Sequence, residues 1–153
     1  MNSRMPHRRF AVLTAVALPL CAAAFEPPHC ASSFDELRGL AADPAFPLRW
    51  KELSMADGKP LVVTITQRDG SLFLEFVKSR EGVWAQGPAA ICATPDGLEA
   101  RIARRHIRVG PAAHWLLRTS LGEGATFRLR RLATGQLQIG LPGWSGLFAA
   151  QPD

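Results

Sequence analysis

Residues 60–77, PLVVTITQRDGSLFLEFV, constrain the fold of this chain more than any other stretch. Two β-rich segments flank Asp69-Gly70. Asp-Gly between alternating apolar segments is the strongest short-range signal for a β-hairpin, because a type I′ turn needs a positive φ at both central residues. Successive side chains of a strand point to opposite faces, so each segment has one apolar face. Those faces carry Leu61, Val63 and Ile65 in the first segment and Leu72, Leu74 and Phe76 in the second.

The chain beyond residue 47 continues this pattern of short β segments separated by turns. Tight turns are predicted at Asp57-Gly58, Pro95-Asp96-Gly97 and Pro142-Gly143, since these residue types favour the backbone angles of turns. Besides the two hairpin strands, further strands are expected at about 48–55, 80–86, 89–94, 98–109, 125–132, 136–141 and 144–149.

Two short helices are expected among these strands. Ser33 and Glu36 fit a capping box, in which the serine hydroxyl accepts a free backbone N–H and the glutamate reaches back. This motif predicts a helix over about 33–42. Pro111 suits the first position of a helix and Gly122 suits the left-handed residue after its last turn. These two residues predict a second helix near 111–121.

The order of elements predicts a mainly β domain. A meander of about eight or nine short strands closes into an up-and-down barrel or folds into a small sandwich. Closure removes exposed sheet edges, so we expect a small antiparallel up-and-down barrel with two short helices. In architecture this layout resembles the calycin class, the lipocalins and their small bacterial relatives. The Gly-x-Trp signature that opens a typical lipocalin is replaced here by Leu48-Arg49-Trp50.

Residues 1–24 are predicted to be a cleavable export signal. Arginines form a basic start, residues 10–20 form an apolar core, and small residues end at Ala24, where cleavage is expected. The apolar core is shorter than the roughly 20 residues of a membrane-spanning helix, so no transmembrane span is expected in the mature chain. Lipid attachment at Cys21 is the less favoured alternative, because the residues before it are large.

Cleavage after Ala24 would leave an N-terminal segment, residues 25–47, and a barrel domain, residues 48–153. The mature chain would carry 15 basic and 13 acidic residues. This near balance does not indicate nucleic acid binding. Two cysteines would remain, Cys30 and Cys92. In the oxidising surroundings of a periplasmic or secreted protein they are expected to form a disulfide, with two buried thiols as the alternative.

Arginines interrupt the apolar alternation at two places. In residues 100–109 the apolar phase changes after Ala103, so either a bulge lies there or one of Arg104 and Arg105 points inward. The same change occurs next to Arg131. An inward arginine needs a partner, such as a bound carboxylate or phosphate or an internal glutamate. The alternative is that all of these arginines are exposed to solvent.

The sequence contains no motif that indicates catalysis. The serines lack the frame of a nucleophile elbow, and no phosphate-binding loop or dinucleotide motif is present. His29, His106 and His114 are widely separated, so their spacing gives no support to a metal site. We therefore expect no enzymatic activity, no cofactor and no metal.

The aromatic residues indicate a packed core first and a ligand cavity second. Large aromatic side chains fill the core of any small domain, but Trp84 and Trp115 are the candidates to line a cavity. We therefore expect an exported barrel that binds an apolar or amphipathic, lipid-like ligand, with Arg104, Arg105 or Arg131 at its anionic end. The alternative is a non-enzymatic interaction protein, an inhibitor or envelope-assembly factor, with a filled barrel and an envelope protein as its partner.

Overall fold

The computed structural model describes residues 28–53 and 57–152. The predicted signal segment, residues 1–24, with its cleavage at Ala24 and the alternative lipid site at Cys21, lies outside the described residues. Within the described part the chain forms eleven strands and two helices. In chain order these are β1 (Cys30–Ala31), α1 (Phe34–Leu40), β2 (Arg49–Glu52), β3 (Leu61–Arg68), β4 (Ser71–Lys78), β5 (Gly82–Pro88), β6 (Ala90–Thr94), β7 (Gly97–Ile102), β8 (Arg108–Val109), α2 (Trp115–Gly122), β9 (Ala125–Arg131), β10 (Leu137–Leu141) and β11 (Trp144–Ala150).

The predicted hairpin is present as β3 and β4. The two strands pair from Leu61 opposite Lys78 to Arg68 opposite Ser71. Asp69 and Gly70 have φ values of 50° and 75°, so both central residues have the positive φ that the turn requires. The apolar face of each strand is buried and the other face is half-exposed or exposed.

All strands belong to one curled antiparallel sheet, a half-barrel, with the order β1-β6-β7-β9-β10-β11-β2-β3-β4-β5-β8. Most neighbours are consecutive in the chain, as in a meander. β5 and β6 lie near opposite ends of this order, although only Ala89 separates them in the chain. The backbone N–H of Ala89 donates to the carbonyl oxygen of Leu72 in β4 at 2.9 Å. We call residues 88–90 the seam.

The predicted number of eight or nine strands is wrong, because the sheet has eleven. One added strand is the two-residue β1, which pairs with β6. The other arises because the predicted strand 98–109 is two strands, β7 and β8. Between them a tight turn forms, in which the N–H groups of His106 and Ile107 donate to the carbonyl oxygen of Ala103 at 2.8 and 3.0 Å. The turn therefore explains the change of apolar phase after Ala103.

The concave side of the sheet is filled with side chains. The ring of Phe76 stacks on Phe127 with centroids 4.5 Å apart and is tilted against Trp84 at 5.5 Å. Trp84 in turn lies 5.3 Å from Trp144. Among the described residues every buried side chain of the core is apolar. Such close packing of aromatic rings leaves the interior filled rather than hollow.

Helix α1 begins as the capping motif predicts. The hydroxyl of Ser33 accepts the backbone N–H of Glu36 at 3.3 Å. The Glu36 carboxylate reaches back one residue further than expected, to the backbone N–H and the hydroxyl of Ser32, at 2.7 and 2.8 Å. Hydrogen bonds from the Ser32 backbone and hydroxyl hold the pKa of Glu36 below its ordinary value. The helix covers Phe34–Leu40, slightly less than the predicted 33–42.

The second helix begins later than predicted. Pro111 lies in a turn, and α2 runs from Trp115 to Gly122. The chain is held in a non-helical path before the helix because the N–H of Gly110 donates to Trp84 and that of Ala112 to Val83. These hydrogen bonds attach the segment before the helix to β5. Gly122, predicted as the left-handed residue after the helix, is its last residue, and the positive φ of 102° lies at Gly124 instead.

Replacing Gly110 by alanine is expected to lower the free energy of unfolding by about 2–3 kcal/mol. A Cβ atom at this position would overlap the carbonyl oxygen of Val83, a backbone atom that cannot move aside. Gly39→Ala is the matched control, because its Cβ meets nothing within 4 Å and alanine favours a helix. Urea unfolding monitored by tryptophan fluorescence measures both variants. Equal stabilities for the two variants would contradict the close approach of β8 to β5.

Candidate functional site

Arg104 and Arg105, the arginines of the predicted phase change, both lie in the turn between β7 and β8 and both are exposed. Arg104 Nη1 forms an ion pair with Glu123 Oε2 at 3.0 Å, on the C-terminal side of α2. Arg105 Nε donates to His106 Nε2 at 3.0 Å. Neither arginine points into the core. Both side chains are exposed to solvent, which is the alternative that the sequence analysis gave.

Arg131 occupies the inner phase of β9 at one end of the half-barrel. Its guanidinium carbon lies 5.0 Å from the ring centroid of Trp50 and 5.9 Å from that of Phe46. Its Nη1 atom lies 3.4 Å from a carboxylate oxygen of Asp43. Arg131 is exposed and does not enter the core, and its partner is Asp43 rather than an internal glutamate. The rings of Trp50 and Phe46 also attract the Arg131 guanidinium by a cation–π interaction.

The two tryptophans predicted for a cavity are not brought together. Trp84 is buried in the aromatic core, with 4% of its surface exposed. Trp115 begins α2 and is 69% exposed, with the ring of His114 at 5.8 Å. Neither residue lines a depression that also contains Arg104, Arg105 or Arg131.

A cleft of about 480 Å³ lies on the outside of the half-barrel, between the β3–β4 turn and the turn after β7. Its floor is formed by β5 residues 86–88. We call this depression the basic cleft, because basic side chains surround it and Asp69 is its one acidic lining residue among those described. The basic lining residues are Arg68, Arg105, His106 and Arg108.

The guanidinium groups of the basic cleft are available to a partner. Within residues 28–53 and 57–152, Arg68, Arg105 and Arg108 form no ion pair. The Arg68 guanidinium carbon lies 4.0 Å from the centroid of the Phe73 ring, which holds the arginine over the half-exposed outer face of β4. Stacking leaves the edge N–H groups of a guanidinium free to donate to an anion.

The turn after β7 lies close to β5 because residue 87 is glycine. A Cβ atom on Gly87 would come within 2.6 Å of Ile102 Cγ2 and 2.8 Å of the His106 carbonyl oxygen. Any larger residue would therefore push the turn, with Arg105 and His106, away from the floor of the basic cleft.

A second depression, of about 360 Å³, continues from the basic cleft along the seam. The two share Ser71, Leu72, Pro88 and His106. We call this second depression the alanine shelf, because four alanines are among its lining residues: Ala31, Ala89, Ala90 and Ala103. Ala90 and Ala103 are exposed, whereas Ala31 and Ala89 are buried. The site therefore has a cationic part and a small-residue apolar part on one continuous surface.

A larger depression, of about 590 Å³, lies elsewhere, on the outer face of β7, β9 and β10. Its charged lining is balanced, with Asp96 and Glu99 beside Arg128 and Arg130. Glu99 also forms an ion pair with Arg101. Because acidic and basic side chains lie side by side there, this surface attracts an anion less strongly than the basic cleft does.

The remaining shifted pKa values belong to an ion-pair cluster at the opposite end of the β3–β4 hairpin. A hydrogen bond with Asp57 raises the pKa of Lys78, and the same contact lowers the pKa of Asp57. A hydrogen bond from Lys59 lowers the pKa of Glu81. The distances are 2.6 Å for both Lys78–Asp57 and Lys59–Glu81. These exposed pairs fix the strand ends and do not belong to the basic cleft.

Cys30 and Cys92 form a disulfide between β1 and β6, as the sequence predicted. The bond joins residues 62 positions apart and places Cys30 on the alanine shelf. A disulfide is typical of an oxidising, exported location.

Two other classes of site were searched in the described part of the chain. It contains no group of three or more His, Cys, Asp or Glu side chains able to hold a metal ion. It also contains no helix with the length and apolar character needed to cross a membrane.

Comparison with protein-family models, with curated proteins and with solved structures found no match to this chain. The site must therefore be interpreted from its own residues.

The sequence singled out Arg105 of this site but missed Arg68, Phe73 and Arg108. One local signal was present for Arg68, which directly precedes the Asp69-Gly70 turn and is therefore held at the tip of a rigid hairpin. Phe73 lies on the outer phase of β4, where a large aromatic residue is out of pattern. No local signal places Arg108 beside them.

Proposed function

We propose that this protein is an exported, non-catalytic binding protein that recognises an anionic partner at the basic cleft on its outer surface. The observation that carries the proposal is the convergence of Arg68, Arg105 and Arg108, without an ion pair among the described residues, on one cleft. Three such cations near one another repel, and a bound anion relieves this repulsion.

The proposal follows the interaction-protein alternative more closely than that of a ligand held inside a barrel. The interior is packed with aromatic and aliphatic side chains, and the depressions large enough for a ligand lie on the outer surface of the described chain. A lipid-like molecule would need an internal cavity of a few hundred cubic ångströms to be enclosed. The filled interior therefore supports a binding site on the outer surface rather than inside the barrel.

The chemistry of the basic cleft fits a carboxylate-rich or phosphate-bearing partner. A guanidinium presents a planar fork of N–H donors that matches carboxylate or phosphate oxygens in a bidentate arrangement. Hydrogen bonds to charged groups contribute about 1.5–3 kcal/mol each, which corresponds to roughly tenfold or more in affinity.

Charge reversal tests the proposal. Fluorescein-labelled hexaglutamate is the probe, and its fluorescence anisotropy is measured against protein concentration at low and at physiological salt. Arg105→Glu with Arg108→Glu is expected to weaken binding at least tenfold, because two donors are lost and two repulsive charges added. The matched control is Arg128→Glu with Arg130→Glu, which makes the same change of charge on the outer face of β9. Equal loss in both double variants would show attraction by overall charge alone and would contradict a specific cleft.

A further inference from the structure

We propose that the basic cleft and the alanine shelf together hold one extended protein segment, with acidic residues at the cleft and small apolar residues on the shelf. This inference rests on the proposed function and names the class of partner. Its starting observation is that the two depressions share four lining residues and so form one groove.

The length of the groove suits a short extended segment. Residues 86–90 of the bent β5–β6 stretch lie along its floor, with residues 86–88 in the cleft and 88–90 on the shelf. At about 3.3 Å per residue, five residues of extended chain span roughly 16 Å. An extended partner segment of four or five residues would therefore cover the arginines and the alanines at once.

The lining of the shelf selects small side chains over a long acyl chain. Its exposed apolar residues, Pro88, Ala90 and Ala103, have short side chains, while Ala31 and Ala89 are buried. The shelf part of the floor consists of three residues, 88–90, which span at most about 10 Å even at the spacing of a strand. One leaflet of a bilayer's hydrocarbon core is about 15 Å thick, so a lipid tail would extend beyond the shelf into water. Alternating small side chains of a peptide fit within it.

The distribution of charge along the groove predicts the order of residues in the partner segment. Cations gather at the hairpin end, around Arg68, Arg105 and Arg108, while the shelf end contains Cys30 and Ser32 beside the alanines. Arg101 also reaches the shelf, but Glu99 already pairs with it. The partner segment should therefore have its acidic residues clustered at one end.

The test compares two labelled peptides of equal length and charge, one with the sequence EEEAVAV and one with EEEGSGS, together with their reversed orders. Anisotropy titrations are expected to show at least tenfold tighter binding of the alanine–valine peptide in one of its orders. Ala90→Gln with Ala103→Gln should remove this preference. Both positions are exposed, so the substitutions should not unfold the protein. Ala93→Gln, exposed on β6 outside the groove, is the matched control and should change neither affinity.

The outcomes separate this inference from the proposed function. Equal affinity of the wild type for both peptides would overturn the inference, while the loss of binding in Arg105→Glu with Arg108→Glu would still support the basic cleft. Tight binding to phosphatidylglycerol vesicles with no binding of either peptide would assign the cleft to a membrane and overturn the inference. Absence of binding to all of these probes would overturn both proposals.

Discussion

Replacing Cys30 and Cys92 together by serine is expected to lower the free energy of unfolding by up to about 4 kcal/mol. The disulfide closes a loop between residues 62 positions apart, and in the chain-entropy model such a crosslink removes much of the freedom of the unfolded chain. Its loss also releases β1, which is a strand of two residues and cannot hold itself to β6. Urea unfolding at equilibrium measures the change.

Treatment with dithiothreitol provides the control for this prediction. The reduced wild type should unfold at the urea concentration of the double variant, and the double variant should not respond to dithiothreitol. A double variant as stable as the oxidised wild type would show that the core alone holds the N-terminal segment in place.

Replacing Phe76 by alanine is expected to cost about 3–5 kcal/mol. Phe76 is fully buried, and its ring contacts both Phe127 and Trp84. The substitution would therefore leave a cavity at the centre of the aromatic cluster, where the surrounding rings of Trp84, Phe127 and Trp144 are held on three different strands.

Phe73→Ala is the matched control for this substitution, because Phe73 lies on the same strand with its side chain on the outer, half-exposed face. It should cost about 1 kcal/mol, mainly from the lost stacking with Arg68. Thermal unfolding followed by circular dichroism measures both variants. A similar loss for the two would contradict the assignment of inner and outer faces of β4.

Features that depend on neighbouring residues were predicted well from the sequence. Asp69-Gly70 fixed a hairpin because a turn needs positive φ at two successive positions, and few residue types tolerate it. Ser33 predicted the start of α1, because its hydroxyl satisfies a backbone group only three residues away. Cys30 and Cys92 could be paired because the mature chain was expected to contain no other cysteine.

Features that depend on distant residues could not be predicted. The sequence around Ala103 showed that the apolar phase changes, but a tight turn, a bulge and an inward arginine give the same local pattern. Arg131 could not be matched with Asp43, because 88 positions separate them and only the curl of the sheet brings them together. The phase of Arg131 indicated an unusual environment without identifying the partner.

The residues that form the basic cleft could not be grouped from the sequence either. Arg68 comes from a hairpin tip, and Arg105 and Arg108 come from the turn and strand after β7. Their proximity depends on the close approach of that turn to Gly87, a contact with no counterpart in the linear sequence. The alanine shelf was equally hidden, because its alanines come from β1, the seam and the turn after β7, and no local pattern shows that these segments meet.

The shortness of β1 and β8 has a consequence for how copies of this protein behave at high concentration. These are the two outermost strands of the described sheet, and each is only two residues long. A long, flat outer strand would offer its free backbone groups to a neighbouring molecule and so start edge-to-edge aggregation. Here each edge offers a neighbour only a very short row of such groups. We therefore expect the folded protein to resist fibril formation in concentrated solution.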